Sequence, residues 1–125
     1  MNLKSEIWGP HYWFILHTIA YTYPDSPDKS TKKKYYNFMI NFPFFLPNSE
    51  SEKNMTELLK SYPVSSYLDS RESFMKYVYF IHNHFNEILN KPKLNYDDAW
   101  NKYVKQYEVS YKDKIKKYKL YKKLL

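Results

Sequence analysis

The chain has 125 residues but a single glycine, Gly9, and this scarcity limits its possible folds more than any other feature. Glycine-rich phosphate loops, tight type I′ hairpins and multi-stranded barrels each need residues that tolerate positive φ angles. Aromatic residues form 21% of the sequence and supply the large apolar surfaces from which a small core can be built. The composition therefore predicts one compact, all-helical domain.

Apolar residues recur with the spacing of one helix face in five segments, which prolines and capping residues separate. The predicted helices are residues 10–23 with Pro10 in the first turn, 30–42 capped by Ser30, 49–61 opened by a capping box at 49–52, 69–90 opened by a capping box at 69–72, and 95–107 capped by Asn95. We expect buried stripes at Tyr12, Ile15, Leu16, Ile19, Ala20 and Tyr23 in the first helix and at Phe74, Tyr77, Val78, Ile81, Phe85, Ile88 and Leu89 in the fourth.

Lysine dominates the charge of the chain, especially at its C-terminal end. The formal net charge is +7, and Arg71 is the only arginine among the 20 basic residues. We expect a domain at residues 1–107, followed by a lysine-rich segment at 108–125 that forms either an amphipathic helix or a loose tail. This segment either binds an anionic partner, such as nucleic acid or a membrane surface, or keeps a tyrosine-rich protein soluble.

The sequence contains no cysteine, which excludes disulfide scaffolds, thiolate metal sites and thiol nucleophiles. His82 and His84 are two positions apart in a predicted helix, so they point to different faces and predict no metal pair. No catalytic triad and no paired carboxylates are apparent, so the sequence assigns no catalytic residue. Neither a signal peptide nor a transmembrane segment is expected, and we therefore expect a cytoplasmic location.

Two stripes of polar and aromatic residues do not resemble ordinary core faces. Their members are Trp13, His17 and Tyr21 in the first helix, and Tyr79, His82, Asn83, Asn86 and Asn90 in the fourth. Asparagine is a poor helix former, so its recurrence inside a strong helix calls for a compensating interaction. The stripes form either solvated faces or the walls of one pocket for a planar ligand with polar edges, such as a flavin.

Several short motifs occur in an order that resembles a known family. They are Trp8-Gly9-Pro10-His11-Tyr12-Trp13, Leu16-His17-Thr18-Ile19-Ala20, Tyr23-Pro24, Phe45-Leu46-Pro47, Ser70-Arg71-Glu72-Ser73, His82-Asn83 with Asn86, and Lys91-Pro92. Across residues 7–103 the chain resembles the Erv/ALR family of FAD-linked sulfhydryl oxidases, especially the short single-domain forms of large DNA viruses. The resemblance implies a four-helix bundle with a short fifth helix, FAD at its mouth and a homodimer formed through the first helices.

By the same resemblance, residues from three parts of the chain would hold FAD. The first helix would contribute Gly9, Tyr12, Trp13 and His17, the fourth would contribute Tyr79, His82, Asn83, Phe85 and Asn86, and Lys91, Lys102 and Tyr103 would lie against the phosphates and the adenine. The two unusual stripes are thus the ones that the resemblance assigns to the cofactor.

The residues that carry the chemistry of the family are replaced in this chain. The resemblance places the redox-active C-x-x-C pair at Asn48 and Ser51, and neither an amide nor a hydroxyl can exchange thiols with disulfides. It places a second cysteine pair, which joins the fourth and fifth helices in many members, at Tyr79 and Tyr96. Packing of these two tyrosines would replace part of the stabilisation that the disulfide supplies.

Three functions stay open on the sequence. The first is a thiol-oxidase-inactive relative that keeps the bundle, with FAD retained or lost, and acts by binding a protein partner. The second is a flavin-dependent oxidase that works on a small reductant without a protein disulfide. The third is a basic module that binds anionic partners through its lysine-rich end.

Overall fold

The computed structural model describes residues 1–124, except for the side chains of residues 109–112, 114 and 117. This part of the chain is largely helical and contains no strand, which confirms the all-α prediction. The α-helices are α1 (Ser5–Tyr21), α2 (Lys29–Asn41), α3 (Ser49–Ser61), α4 (Arg71–Ile88), α5 (Tyr96–Tyr103) and α6 (Lys105–Leu124), with short 3₁₀ helices at Phe42–Phe45 and Val64–Tyr67.

Helix α4 is the centre of the bundle because it packs against α1, α3 and α5. Helix α2 packs against α3 and the two 3₁₀ helices and completes the core with Met39. A second, smaller cluster around Ala99, Tyr103 and Val104 packs against Phe14 of α1 and so attaches α5 to the bundle. The predicted four-helix bundle with a short fifth helix is therefore confirmed.

The starts of four helices are fixed by side-chain oxygens that each accept the N–H three residues later. The bonds are Asp28 Oδ1 to Thr31 (2.7 Å), Asn48 Oδ1 to Ser51 (3.1 Å), Ser70 Oγ to Ser73 (3.1 Å) and Asn95 Oδ1 to Asp98 (2.8 Å). The Asn95 cap and the bounds of the third helix, 49–61, are confirmed, but the predicted capping residues Ser30, Ser49 and Asp69 are each wrong by one or two positions. Asp28 precedes Ser30 and Asn48 precedes Ser49, and each caps its helix in place of the predicted serine. Asp69 instead forms an ion pair with Lys32 at 2.7 Å.

Helix α1 begins at Ser5, so the prediction of Pro10 in the first turn is wrong. Pro10 lies inside the helix, where it has no N–H to donate to the carbonyl of Glu6. Glu6 is exposed, so water can reach this part of the backbone. The earlier start brings Trp8 and Gly9 into the helix, one turn before Trp13.

Some apolar residues predicted for the core are at the surface. Ile15 is 50% exposed and Ile88 is 44% exposed, so both predictions of burial are wrong. The apolar stripe in each helix is wider than the surface that neighbouring helices cover. Tyr107 also lies outside the fifth helix, because α5 ends at Tyr103.

The lysine-rich segment forms a helix, one of the two alternatives left open by the sequence. Helix α6 passes residues 107 and 108 without a break. Its first turn is attached to α1 by Tyr107, whose hydroxyl lies 3.0 Å from that of Thr18. The later apolar residues Tyr118, Leu120, Tyr121 and Leu124 are largely exposed. No helix in the described part of the chain is long and apolar enough to span a membrane.

Candidate functional site

Two buried histidines join α1 to α4. His17 Nε2 and His82 Nδ1 lie 3.0 Å apart and share one hydrogen bond, and the side chains belong to residues only 6% and 5% exposed. Desolvation on burial, with a smaller effect of the positive charge of Lys102, lowers the pKa of His17 to about 4. Burial, then His17 and the nearby lysines, lowers the pKa of His82 to about 3. Both imidazoles are therefore neutral at pH 7, and one donates to the other.

Aromatic rings cover this histidine pair on both sides. The Trp13 indole stacks on His82 with a centroid distance of 4.0 Å and an interplanar angle of 5°. The Tyr103 ring stacks on His17 at 4.3 Å and 10°. Trp13, His82, His17 and Tyr103 form one cluster, here called the ring cluster, which connects α1, α4 and α5. Because Trp13 and His82 are already in contact, no ligand ring lies between them in this arrangement.

A cavity of about 300 Å³ lies beside the ring cluster, between the start of α1, the end of α4 and the segment that includes α5. This volume is at the lower end of the roughly 300–1,000 Å³ range of small-molecule sites. Eight of the twelve predicted cofactor residues line it: Gly9, Trp13, His82, Phe85, Asn86, Lys91, Lys102 and Tyr103. The structure therefore brings most of the predicted residues together around one space.

Four predicted residues do not line this cavity. The hydroxyl of Tyr12 donates to the Phe45 carbonyl at 3.0 Å, and His17 lies behind His82. Tyr79 packs against Tyr96, and Asn83 is occupied with the backbone of Leu94. Their contacts connect and stabilise the walls of the cavity. The assignment of these four residues to the cofactor stays a prediction, since none of them lines the cavity.

The three asparagines of the α4 stripe have three different roles. Asn83 accepts from the Leu94 N–H at 2.9 Å and donates to the Leu94 carbonyl at 2.7 Å. Asn90 has a φ of 55° and ends α4 in a Schellman motif, in which its own N–H binds the Glu87 carbonyl and the Lys91 N–H binds the Asn86 carbonyl. The Asn86 side chain, in a residue 8% exposed, lines the cavity and makes no hydrogen bond to any described residue. The solvated-face interpretation of this stripe therefore does not hold for Asn83 or Asn86.

Sequence reasoning missed part of the cavity wall. The additional lining residues are Ser5, Trp8, Pro10, Leu89, Pro92 and Leu94. Trp8 was within the motif that carries the family resemblance, and its place directly before Gly9, a predicted cofactor residue that lines the cavity, could have marked it. The wall from Pro92 to Leu94 carries no periodic signal, since it is a loop that Asn83 holds in place.

The start of α3 holds the two positions where the resemblance places a redox-active cysteine pair. Asn48 Oδ1 accepts from the N–H of Ser51 at 3.1 Å, and the Asn48 amide nitrogen donates to the Leu3 carbonyl at 3.2 Å. Ser51 is 5% exposed. A hydrogen-bonded helix cap thus connects these two positions. Thiol–disulfide exchange needs a thiolate, which neither side chain can form.

The second pair of predicted cysteine positions is occupied by an aromatic contact. The rings of Tyr79 in α4 and Tyr96 in α5 meet edge to face, with a centroid distance of 5.3 Å and an angle of 89°. The predicted packing of these tyrosines is therefore confirmed. It joins the two helices that the resemblance expects a disulfide to join.

Comparison with known proteins agrees with this geometry. The sequence profile of the family described as "Erv1 / Alr family" matches residues 10–108. The chain belongs to the Erv1/Alr family. A mimivirus protein named "Probable FAD-linked sulfhydryl oxidase R368" is 33% identical over 98 residues, which cover 78% of this chain and 68% of the relative. The "FAD-linked sulfhydryl oxidase" of an African swine fever virus isolate from a warthog is 30% identical over 103 residues, 82% of each chain.

Solved structures show the same fold. The yeast Erv1 core superimposes with a TM-score of 0.74 at 23% identity, covering 83% of this chain and 86% of that structure. The FAD-binding domain of Erv1 from Saccharomyces cerevisiae gives the same TM-score at 24% identity, with coverage of 82% and 95%. At these identities the likeness concerns the fold. The Erv1/Alr bundle is thus retained in a chain that has no cysteine.

The chemistry of the cavity fits part of FAD. Trp8, Trp13 and Tyr103 offer aromatic surfaces, and Asn86 offers an amide without a described partner. Lys91 and Lys102 bring positive charge suited to a diphosphate. The cavity volume of about 300 Å³ is at the lower end of the range of small-molecule sites, and FAD carries two separate ring systems. The adjoining space beneath Trp13 and Phe85, toward Met55, measures only about 10 Å³, so a second buried ring system would require these side chains to move.

Proposed function

We propose that this Erv1/Alr protein binds a flavin nucleotide in the cavity beside the ring cluster but does not oxidise thiols, and that it acts by binding a protein partner. The observation that carries the proposal is the replacement at the start of α3. A hydrogen-bonded Asn48–Ser51 cap occupies the predicted positions of the thiol relay, in a chain without any cysteine. Bound FAD would supply a two-electron acceptor, but no side chain here can relay electrons to it from a substrate dithiol.

The residues of the cavity would bind and orient such a ligand. The indole of Trp8 and the ring of Tyr103 provide planar contact, and the Asn86 amide can pair with a polar ring edge. The neutral His82 has a second ring nitrogen, Nε2, that makes no hydrogen bond to a described residue and whose role as donor or acceptor depends on the tautomer. These groups supply binding and orientation, and the proposal needs no catalytic residue.

The first test is the visible absorption spectrum of the purified protein, before and after addition of FAD and removal of the excess. We expect bound flavin and no oxygen consumption with dithiothreitol beyond that of free FAD. A protein that takes up no FAD contradicts the binding part of the proposal. Turnover with dithiothreitol contradicts the loss of thiol oxidation and favours a flavin oxidase that needs no protein disulfide.

Restoring the cysteine pair gives the sharper test. The double variant Asn48→Cys/Ser51→Cys places thiols at positions that one helix-capping hydrogen bond already connects. We expect it to gain flavin-dependent thiol oxidation, while each single variant, which lacks the partner thiol, serves as a matched control with little or no gain. Absence of activity in a double variant that binds flavin and forms the disulfide would contradict the assignment of these positions to the relay.

We further propose that the partner is a second copy of this chain, bound through the outer face of α1. Ile7 and Ile15 lie about two helical turns apart on that face, with the exposed His11 between them, and are 70% and 50% exposed, so no described neighbour covers either isoleucine. Light scattering should show a dimer that Ile15→Glu dissociates. The matched control is Ile88→Glu on α4, at a similar exposure of 44%. A monomeric wild-type protein, or equal effects of the two variants, would contradict this interface.

A further inference from the structure

The N-terminal residues Asn2 and Leu3, here called the N-terminal strap, lie against the start of α3. The Leu3 N–H donates to the Pro47 carbonyl at 2.8 Å. Ser49 donates to Asn2 Oδ1 twice, from its N–H at 2.8 Å and from its hydroxyl at 3.1 Å. Three hydrogen bonds therefore hold the strap across the turn that leads into α3.

The carbonyl of Leu3 connects two distant parts of the molecule. It accepts one hydrogen bond from the Asn48 amide at 3.2 Å and another from the Trp8 indole N–H at 3.0 Å. A carbonyl oxygen has two lone pairs and can accept both donors at once. Trp8 lines the cavity, so one carbonyl oxygen connects the start of α3 to the cavity wall.

Asn48 uses both atoms of its amide in this arrangement. Its Oδ1 caps α3 through Ser51, and its Nδ2 holds the strap through Leu3. An aspartate at the same position keeps the capping oxygen but has no N–H to donate, and its charge opposes the Leu3 carbonyl. The two roles can therefore be separated by one substitution.

We propose that Asn48 is a positioning residue for the cavity: through the Leu3 carbonyl it holds the Trp8 indole in the wall and thereby sets the affinity for a planar ligand. This inference rests on the proposed function for its ligand, but the position of Trp8 can be measured without one. It assigns a new structural role to the position where the resemblance places a relay cysteine.

The experiment compares Asn48→Asp with the wild-type protein by two measurements. In ¹H–¹⁵N spectra, we expect the Trp8 indole resonance to shift and to exchange faster with solvent, while that of Trp100 stays in place. In fluorescence titrations with FAD, we expect the Kd to rise about 3- to 10-fold, the amount that loss of one hydrogen bond supplies. Asn54→Asp, which adds the same charge within α3 at an asparagine without a described side-chain hydrogen bond, is the control and should change neither measurement.

A double-mutant cycle with Trp8→Phe tests whether Asn48 acts through the indole N–H. Phenylalanine keeps an aromatic wall but removes the donor, so Asn48→Asp should add no further rise in Kd in that background. An unshifted Trp8 resonance in Asn48→Asp, or an equal rise in Kd with and without the Trp8 donor, would overturn the inference. If the wild-type protein binds no FAD, the proposed function fails, and the Trp8 resonance alone decides the positioning role.

Discussion

The cavity beside the ring cluster and the start of α3 differ in what they offer for flavin-dependent thiol chemistry. Around the cavity, aromatic walls, a buried Asn86 amide and two lysines converge on one space. At the start of α3, by contrast, Asn48 and Ser51 are joined by a helix-capping hydrogen bond and offer no thiol. A cavity lined by aromatic, amide and basic groups therefore coexists with a helix cap at the positions where the resemblance places the relay. The comparison shows that the bundle forms without the cysteines to which the resemblance assigns dithiol chemistry, because other side chains hold its helices together.

The largest effect should come from breaking the ring cluster. Trp13 is 9% exposed and packs against both His82 and Phe85. We expect Trp13→Ala to lower the free energy of unfolding by about 3–5 kcal/mol, since it leaves a cavity beside the two histidines. Urea denaturation measures the loss, and Trp13→Phe should recover a substantial part of it. A loss below about 1 kcal/mol would show that the cluster contributes little to stability.

The second largest effect should come from acid, which should destabilise the same ring cluster. The pKa values of about 4 for His17 and about 3 for His82 lie below the ordinary value of 6.5, so the unfolded chain binds protons more readily than the folded chain. The stability that the two neutral imidazoles contribute is complete above pH 6.5 and is lost as the pH falls toward 4. By pH 5 we expect each imidazole to lower the free energy of unfolding by about 2 kcal/mol, because a difference of one pKa unit corresponds to about 1.4 kcal/mol.

Denaturation at pH 7 and pH 5 measures this effect in the wild-type protein and in His17→Gln/His82→Gln. Replacing the exposed His11 by glutamine is the control and should leave the pH dependence unchanged. A double variant that loses as much stability between the two pH values as the wild-type protein would refute the role of the histidine pair.

The link between α4 and α5 should give a smaller effect. We expect a double-mutant cycle on Tyr79→Ala and Tyr96→Ala to yield a coupling of about 0.5–1.5 kcal/mol from their edge-to-face contact. That is less than the roughly 2–4 kcal/mol typical of a disulfide. Additive losses from the two substitutions would mean that the tyrosines do not stabilise this junction as a pair.

The smallest effect should come from the start of α3. Asn48→Ala removes the cap of Ser51 and should cost about 1 kcal/mol of stability, whereas Asn48→Asp should retain most of it. Thermal unfolding followed by circular dichroism measures both. Equal losses in the two variants would indicate that the Asn48 Oδ1 bond to Ser51 does not stabilise the helix.

Much of the fold could be predicted from the sequence because helix boundaries are set by local chemistry. The spacing of Phe74, Tyr77, Val78 and Ile81 identified the buried face of α4, and Asn95 marked the start of α5. Errors arose where two caps compete, as at Asp28 and Ser30, since their ranking depends on which backbone N–H the side chain reaches. They also arose at Ile15, because periodicity does not show how much of a stripe a neighbour covers.

The sequence by itself determined that these 125 residues contain no thiol, since cysteine is the amino acid that carries one. It also placed the polar stripes on α1 and α4, because helical spacing is a local property. Only the tertiary structure decided what the stripe residues contact. Asn83, Asn86 and Asn90 follow one another on one line, yet they hold a loop, face the cavity and end the helix, respectively. Partners more distant in sequence assign the roles of Asn83 and Asn86, whereas the role of Asn90 follows from local hydrogen bonds at the end of the helix.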